Sequence, residues 1–289
     1  MEPELAEPGI PKLANLAGRA TLLWKQGYAD VEQLGGGRFP ADPQEILLEW
    51  DRFEEWVQNV EPQIPGLPDL SLLGPPTPRP GQVFAIGLNY GDHTAEAGYD
   101  TSGLPQVFTK FPSCLTGPYS KVPVVSPRLD WEIELVAVVG RSGRNINEDS
   151  AWSFIAGLMV GQDLSARDVQ LAGSAPQWSL GKSFSGFGPI GPWLTSARDC
   201  PGRDDLLMEC ELNGALMQSD RTSNMIWSVP ELVARLSSVC ELRAGDVIFT
   251  GTPAGIGNRR TPPIYLAPGD LLVSRIEGLG ETAVGFIAP

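Results

Sequence analysis

Trp131-Glu132-Ile133-Glu134-Leu135-Val136-Ala137-Val138-Val139 is an apolar run closed by Gly140, and it reads as a strand. Asp246 to Thr250 and Leu271 to Ile276 are further runs of this kind. Gly, Pro and Asp bound them at the spacing of a β-rich fold. Two carboxylates interrupt the first run. Side chains alternate faces along a strand, so Glu132 and Glu134 project from the same side, where two like charges repel. A solvated sheet edge relieves that repulsion, and so does a bound cation. Asp163, in Gly161-Gln162-Asp163-Leu164-Ser165, is a third acid that follows an apolar stretch. Three carboxylates with no thiolate or imidazole between them describe a hard-cation site of the Mg2+ or Mn2+ type.

Moving outward, helices are few. Asp42-Pro43-Gln44-Glu45, ahead of Ile46, Leu47, Trp50, Phe53, Trp56, Val57 and Val60, supplies a cap, a proline at the first helical position and a 3.6-residue apolar period. The pattern predicts a helix over 43–60, with Glu45, Glu49, Glu54 and Glu55 on a solvated face that needs no partner. Short strands are expected at 20–24 and 28–31, and a further helix at 148–156. Another helix follows the capping box Ser228-Val229-Pro230-Glu231. Leu242-Arg243-Ala244-Gly245-Asp246-Val247 and Leu266-Ala267-Pro268-Gly269-Asp270-Leu271 echo each other as Gly-Asp turns that launch strands. Gly74-Pro75-Pro76-Thr77-Pro78-Arg79-Pro80-Gly81 is too rich in proline for regular structure. It divides the chain into a small N-terminal domain (1–73), a linker (74–81) and a larger domain (82–289).

Composition narrows the function classes. The 289 residues carry 21 Lys plus Arg against 35 Asp plus Glu, a formal charge of −14 that repels a phosphate backbone or an anionic bilayer face. No basic run offsets it, so neither nucleic acid nor membrane is an expected partner. Small molecules and other proteins remain. The acidic opening Met1-Glu2-Pro3-Glu4 and the lack of any run of 18 apolar residues argue against a secretory signal or a membrane span, which makes the cytoplasm the default address. Cys114, Cys200, Cys210 and Cys240 are isolated in sequence and read as reduced packing residues.

His93 is the single histidine, so an imidazole base has one candidate. Glu96 lies three residues on. In a short helix ending at Gly98 the two share a face, either as an oriented catalytic pair or as an ordinary pair at a surface helix end. Lys182 sits among glycines and aromatics, which suits a cation held near developing negative charge as well as it suits a snorkelling surface lysine. The loop Gly251-Thr252-Pro253-Ala254-Gly255-Ile256-Gly257 lacks the Gly-Lys-Ser/Thr ending of a phosphate loop. It is read as a structural turn.

Taken in order, several motifs resemble the fumarylacetoacetate hydrolase (FAH) family. They are Gly87-Leu88-Asn89-Tyr90 with His93 and Glu96, Asp130-Trp131-Glu132-Ile133-Glu134-Leu135, and Gln162-Asp163-Leu164-Ser165-Ala166-Arg167-Asp168. Gly181-Lys182-Ser183-Phe184, Pro189-Ile190-Gly191-Pro192-Trp193, Asn213-Gly214 and Phe249-Thr250-Gly251-Thr252-Pro253-Ala254-Gly255 complete the set. The resemblance runs from about Gly81 to Pro289. It implies an α+β, predominantly β protein: an FAH-type mixed β-roll core, with a small N-terminal α/β domain ahead of it and a homodimeric assembly. It also implies Mg2+ or Mn2+ on Glu132, Glu134 and Asp163, a His93–Glu96 dyad, and Lys182 facing the substrate. Thr252 would contact a substrate carboxylate, and Lys110 would lie close to the site.

Family substrates are small 2-oxo or 1,3-dicarbonyl acids. The expected activity is therefore a metal-dependent hydrolase that cleaves a carbon-carbon bond in an acylpyruvate or related β-diketo acid through a stabilised enolate. His93, oriented by Glu96, would deprotonate the attacking water, and Lys182 would stabilise the oxyanion. The same enolate serves a decarboxylase of an oxaloacetate-like acid or an isomerase of an unsaturated 2-oxo acid. A binding protein without catalysis is a further alternative. Its one motivation is Ser185, which stands where the family commonly has Asp after Gly-Lys-Ser-Phe.

Overall fold

The computed structural model describes residues 11–91 and 105–289. Its centre is a 12-stranded mixed sheet. Gly188–Ser196, Ile155–Gln162, Ile133–Val139, Val247–Phe249, Val83–Gly87 and Gln106–Thr109 lie side by side in that order. Val247–Phe249 and Val83–Gly87 run parallel, whereas the other neighbours in this run are antiparallel. A second sheet of five strands is built around Leu207–Leu212, Leu271–Ile276 and Gly280–Ile287. Every residue of Ile133–Val139 is buried, as expected for a strand covered on both faces. The fold is α+β and predominantly β, as the sequence indicates.

The N-terminal strands extend the same sheet. Lys12–Leu16, which the sequence reading passed over, pairs with Arg19–Trp24 on one side and with Gly188–Ser196 on the other, Leu13 lying opposite Leu194. One apolar cluster joins Leu13, Leu22 and Phe53 to Val136, Ile190 and Phe249 across this junction.

Four local expectations change. The helix expected over 43–60 is two short helices, Pro43–Ile46 and Trp50–Val57, joined by a 3-10 turn at Leu47–Glu49. Glu49 leaves helical geometry at φ −123°, ψ 33°, and the break lets Ile46 and Leu47 as well as Trp50 and Phe53 reach the core. The cap itself is as read, with Asp42 accepting from Gln44 N at 2.9 Å. Glu54, assigned to a solvated face, instead accepts from Ser196 Oγ at 2.6 Å. The strand expected to reach Val31 ends at Asp30, whose side chain caps the helix Val31–Leu34. The helix expected at 148–156 is a 3-10 segment, Glu148–Phe154, because Ile155 and Ala156 already belong to the central strand.

The capping box ahead of Val229–Val239 is formed. Both echoed Gly-Asp turns use one device: Asp246 accepts from Arg243 N at 2.8 Å, and Asp270 from Ala267 N at 2.7 Å. All four cysteines are free thiols.

Candidate active site

Two neighbouring strands bring the acids together. Ile133–Val139 and Ile155–Gln162 pair antiparallel with Ile133 opposite Gln162, so the start of one strand meets the end of the other. Glu132 precedes the first strand and Asp163 follows the second. Asp163 N donates to Glu132 O at 2.9 Å, and the Gln162 side chain accepts from Glu132 N at 2.9 Å. Glu132, Glu134 and Asp163 each offer a carboxylate oxygen, all within 4.8 Å of one another, and all three residues are buried.

Buried cations stand against them. Lys182 Nζ lies 2.6 Å from Glu132 Oε2 and 2.5 Å from Asp163 Oδ2. Arg167 Nη2 lies 2.7 Å from Glu132 Oε1 and 2.6 Å from Asp130 Oδ2. Lys110 Nζ donates to Asp163 Oδ1 at 2.7 Å, to Phe187 O at 3.1 Å, and to the carbonyl of Lys182. An ammonium has three N–H donors, so those of Lys110 are all engaged within the protein. Among the described residues two of Lys182's go to carboxylates, which leaves one for a ligand.

The two glutamates titrate in opposite directions. Burial raises Glu132, but Lys182 and Arg167 outweigh it and hold the carboxyl down at about 2. Burial, with Asp163 and Glu132 adding repulsion, pushes Glu134 well above the usual carboxylate range. Its one donor among the described residues is Gly251 N, at 2.7 Å. Burial lowers Lys182, but Asp163 and Glu132 more than reverse this, so its ammonium form is favoured.

A cavity of about 100 Å3 opens beside the acids, lined by Glu132, Glu134, Lys182, Thr252, Trp178 and neighbouring residues. Thr252 Oγ1 accepts from Gln218 Nε2 at 2.8 Å, so its own proton remains free to donate. Leu88, also in the lining, has φ of 59°, a costly conformation for a leucine. Asn89 holds it there: its side chain donates to Thr250 O and Trp227 O and accepts from Trp227 N.

Gly87 gives the wall its shape. A Cβ at that position would stand 2.4 Å from Cζ3 of Trp178, a ring already packed edge-on against Phe108. Gly87→Ala is expected to displace the indole into the cavity and to destabilise the protein by about 1–3 kcal/mol. A thermal melt and the kcat/KM of the variant check this, and values matching the unaltered protein would count against a rigid wall.

Residues 82–286 match the family model described as fumarylacetoacetate (FAA) hydrolase, C-terminal. The chain belongs to the fumarylacetoacetate hydrolase family. Among curated relatives, the bovine (Bos taurus) oxaloacetate tautomerase FAHD2B, mitochondrial, is 40% identical over 222 residues, 75% of this chain and 70% of the relative. Among solved structures, a Mycobacterium smegmatis protein provisionally named HpcE is 48% identical with a TM-score of 0.90, covering 96% of this chain and 100% of that one. Fumarylpyruvate hydrolase from Pseudomonas aeruginosa, solved with Mn2+ and pyruvate, is 31% identical with a TM-score of 0.65, over 72% and 90% of the two chains.

In this FAH-family chain the structure brings together Glu132, Glu134, Asp163, Lys182 and Thr252, with Lys110 behind Asp163. His93 and Glu96 lie outside the described residues. Lys110, expected close to the substrate, is fully buried and turned to the protein. Ser185, where the family commonly has Asp, is exposed and does not line the cavity. Sequence reading missed Asp130, Arg167, Gln170 and Trp178. Asp130 and Arg167 stood inside quoted motifs, but only the folded chain reveals that Arg167 donates to Asp130 and pairs with Glu132 while Asp130 accepts from Gly257 N and Asn258 N.

The donor set fits a hard divalent cation. It is all oxygen, it is buried, and Glu134, repelled by Asp163 and Glu132, has a single hydrogen-bond donor among the described residues. Among the described residues no helix is long and apolar enough to cross a membrane.

Proposed function

We propose that this chain is a divalent-metal-dependent enzyme that enolises a small 2-oxo acid, and that keto–enol tautomerisation of an oxaloacetate-like acid is its reaction. The observation that carries the reading is the cavity of about 100 Å3 lined by Glu132, Glu134 and Lys182, with Asp163 clustered beside the two glutamates and one N–H of the lysine uncommitted among the described residues. The likeness to the bovine oxaloacetate tautomerase supports the reaction type.

Glu132, Glu134 and Asp163 would hold Mg2+ or Mn2+, which when bound supplies Lewis-acid polarisation of the substrate's adjacent oxygens. Lys182 would donate its remaining N–H to the oxygen on which negative charge grows. Thr252 would donate to the substrate carboxylate. His93, oriented by Glu96, would move the proton at the carbon next to the carbonyl. Lys110 enters this proposal as the residue that positions Asp163 and the backbone at Lys182 and Phe187, because it has no donor left for substrate. We also propose the division 1–73, 74–81 and 82–289, whose last unit is supported by the family match at 82–286, together with a homodimeric assembly and a cytoplasmic address.

A second reading, hydrolysis of an acylpyruvate, is favoured by the likeness to the fumarylpyruvate hydrolase solved with Mn2+ and pyruvate. There His93 would activate water instead of moving a carbon-bound proton. One panel separates the readings: oxaloacetate followed by enol absorbance and by carbon dioxide release, and acylpyruvates followed by pyruvate release. The expected result is enol conversion that stops with chelator and returns with Mg2+ or Mn2+. Pyruvate from acylpyruvates alone would replace tautomerisation with hydrolysis, and carbon dioxide would indicate a decarboxylase. His93→Ala is expected to lower kcat by about 10^2–10^4-fold with Mn2+ affinity retained. Full activity in that variant removes the proposed base.

A further inference from the structure

We infer that Arg259 is the residue that reads the charge of the substrate's tail, and that it selects 2-oxo acids bearing a second carboxylate. The inference rests on the enolising activity proposed above and assigns a specificity residue to it.

Among the described residues three cations line the cavity: Arg167, Lys182 and Arg259. Arg167 is held between Asp130 and Glu132, and Lys182 between Glu132 and Asp163. Arg259 has no carboxylate, carbonyl or other side-chain partner among the described residues, and it is exposed. Among the described residues it is therefore the lining cation whose donors are open to an anion arriving from solvent. A guanidinium in that state offers a planar fork matched to a carboxylate.

The backbone beneath Arg259 is fixed, as a selective contact requires. Gly257 N and Asn258 N donate to Asp130 at 2.7 and 3.0 Å, and Asp130 in turn receives Arg167, which also grips Glu132. Two links thus tie the turn that carries Arg259 to the acids that would bind the reacting end of the substrate. Asn258 Oδ1 accepts from Arg128 and from Tyr265 OH, and Arg260 donates to Met217 O and Gly255 O. Gly257 itself has no room for a side chain, since a Cβ would stand 2.0 Å from Ile264 O. Of this turn's long side chains, Arg260 anchors the loop and Arg259 is left for the cavity.

The test compares oxaloacetate with its 4-methyl ester, which keeps the 2-oxo acid head and removes the tail charge. In Arg259→Gln, the ratio of kcat/KM for oxaloacetate to that for the ester is expected to fall about tenfold, equivalent to ~1.4 kcal/mol. The change should appear mainly in KM, because a tail contact is made equally in ground and transition states. Arg259→Lys should recover part of the ratio, and both variants should melt with the unaltered protein. An unchanged ratio, or equal losses on acid and ester, overturns the assignment while leaving the enolase-type reading intact. Failure of the unaltered protein to convert either compound overturns that reading and this inference with it.

Discussion

Asp163→Ala is expected to remove Mn2+ binding and to lower stability by about 3–5 kcal/mol, the range for breaking a buried ion pair from one side. Asp163 is the shared acceptor of two fully buried ammonium groups, Lys110 on Oδ1 and Lys182 on Oδ2. Without it Lys110 retains only two carbonyl oxygens, and Lys182 retains only Glu132. Both lysines are almost wholly buried, so each carries a largely desolvated charge with weakened compensation. In a chain of this size the melting temperature should fall on the order of 10 °C. Asp163→Asn should not rescue it, because half of the amide is itself a donor facing an ammonium. Affinity for Mn2+, read by calorimetric titration, should fall by more than about a hundredfold, since disturbing an outer-shell partner alone costs about 10–100-fold. A variant that melts and binds like the unaltered protein would show that the ion and the lysines do not depend on this carboxylate.

Glu134→Gln should separate the two effects that Asp163→Ala combines. Burial, Asp163 and Glu132 raise Glu134 well above its ordinary value, so in chelator-treated protein the native state holds its proton more tightly than the unfolded chain does. Stability from such a group is complete below the unfolded value near 4.5 and declines as pH rises toward the folded value. Glutamine mimics the protonated carboxyl, and its carbonyl can still accept from Gly251 N. The metal-free variant should therefore melt at or above the unaltered protein at pH 7 and lose less stability between pH 5 and 7. With Mn2+ the order should invert: the unaltered protein gains a concentration-dependent rise in melting temperature, and the variant gains none. Turnover should fall by at least about a hundredfold along with the ion. Melts across pH, with and without Mn2+, decide it. A variant still stabilised by Mn2+ would take Glu134 out of the ligand set.

Much of the site was legible before folding, because its chemistry depends on residue types at short spacings. Glu132 and Glu134 share a side by strand alternation alone, and their repulsion there calls for either a solvated edge or a bound cation. Asp130 and Arg167 were not legible as a pair. They are 37 residues apart, and their hydrogen bond forms only where the two-stranded sheet of Leu129–Asp130 and Ser165–Ala166 closes. The helix over 43–60 failed for a related reason. Its apolar period was correct, but the chain leaves helical geometry at Glu49, and Ile46 and Trp50 on either side of the break are both buried in one apolar cluster.

Local sequence, then, determined the central apolar strands, the caps, the Gly-Asp turns and the acids able to hold a cation, since these follow from side-chain alternation, backbone preference and charge within a few residues. Tertiary structure alone decided how the charges are shared. Lys110 and Lys182 are the same residue type and share Asp163, yet among the described residues one has every donor engaged and the other keeps one free. Arg259 and Arg260 are neighbours in the chain, yet one faces the cavity and the other anchors the loop. The reason is geometric: a donor's availability depends on which distant carbonyls and carboxylates the fold places within about 3 Å of it, and no short-range pattern encodes those distances.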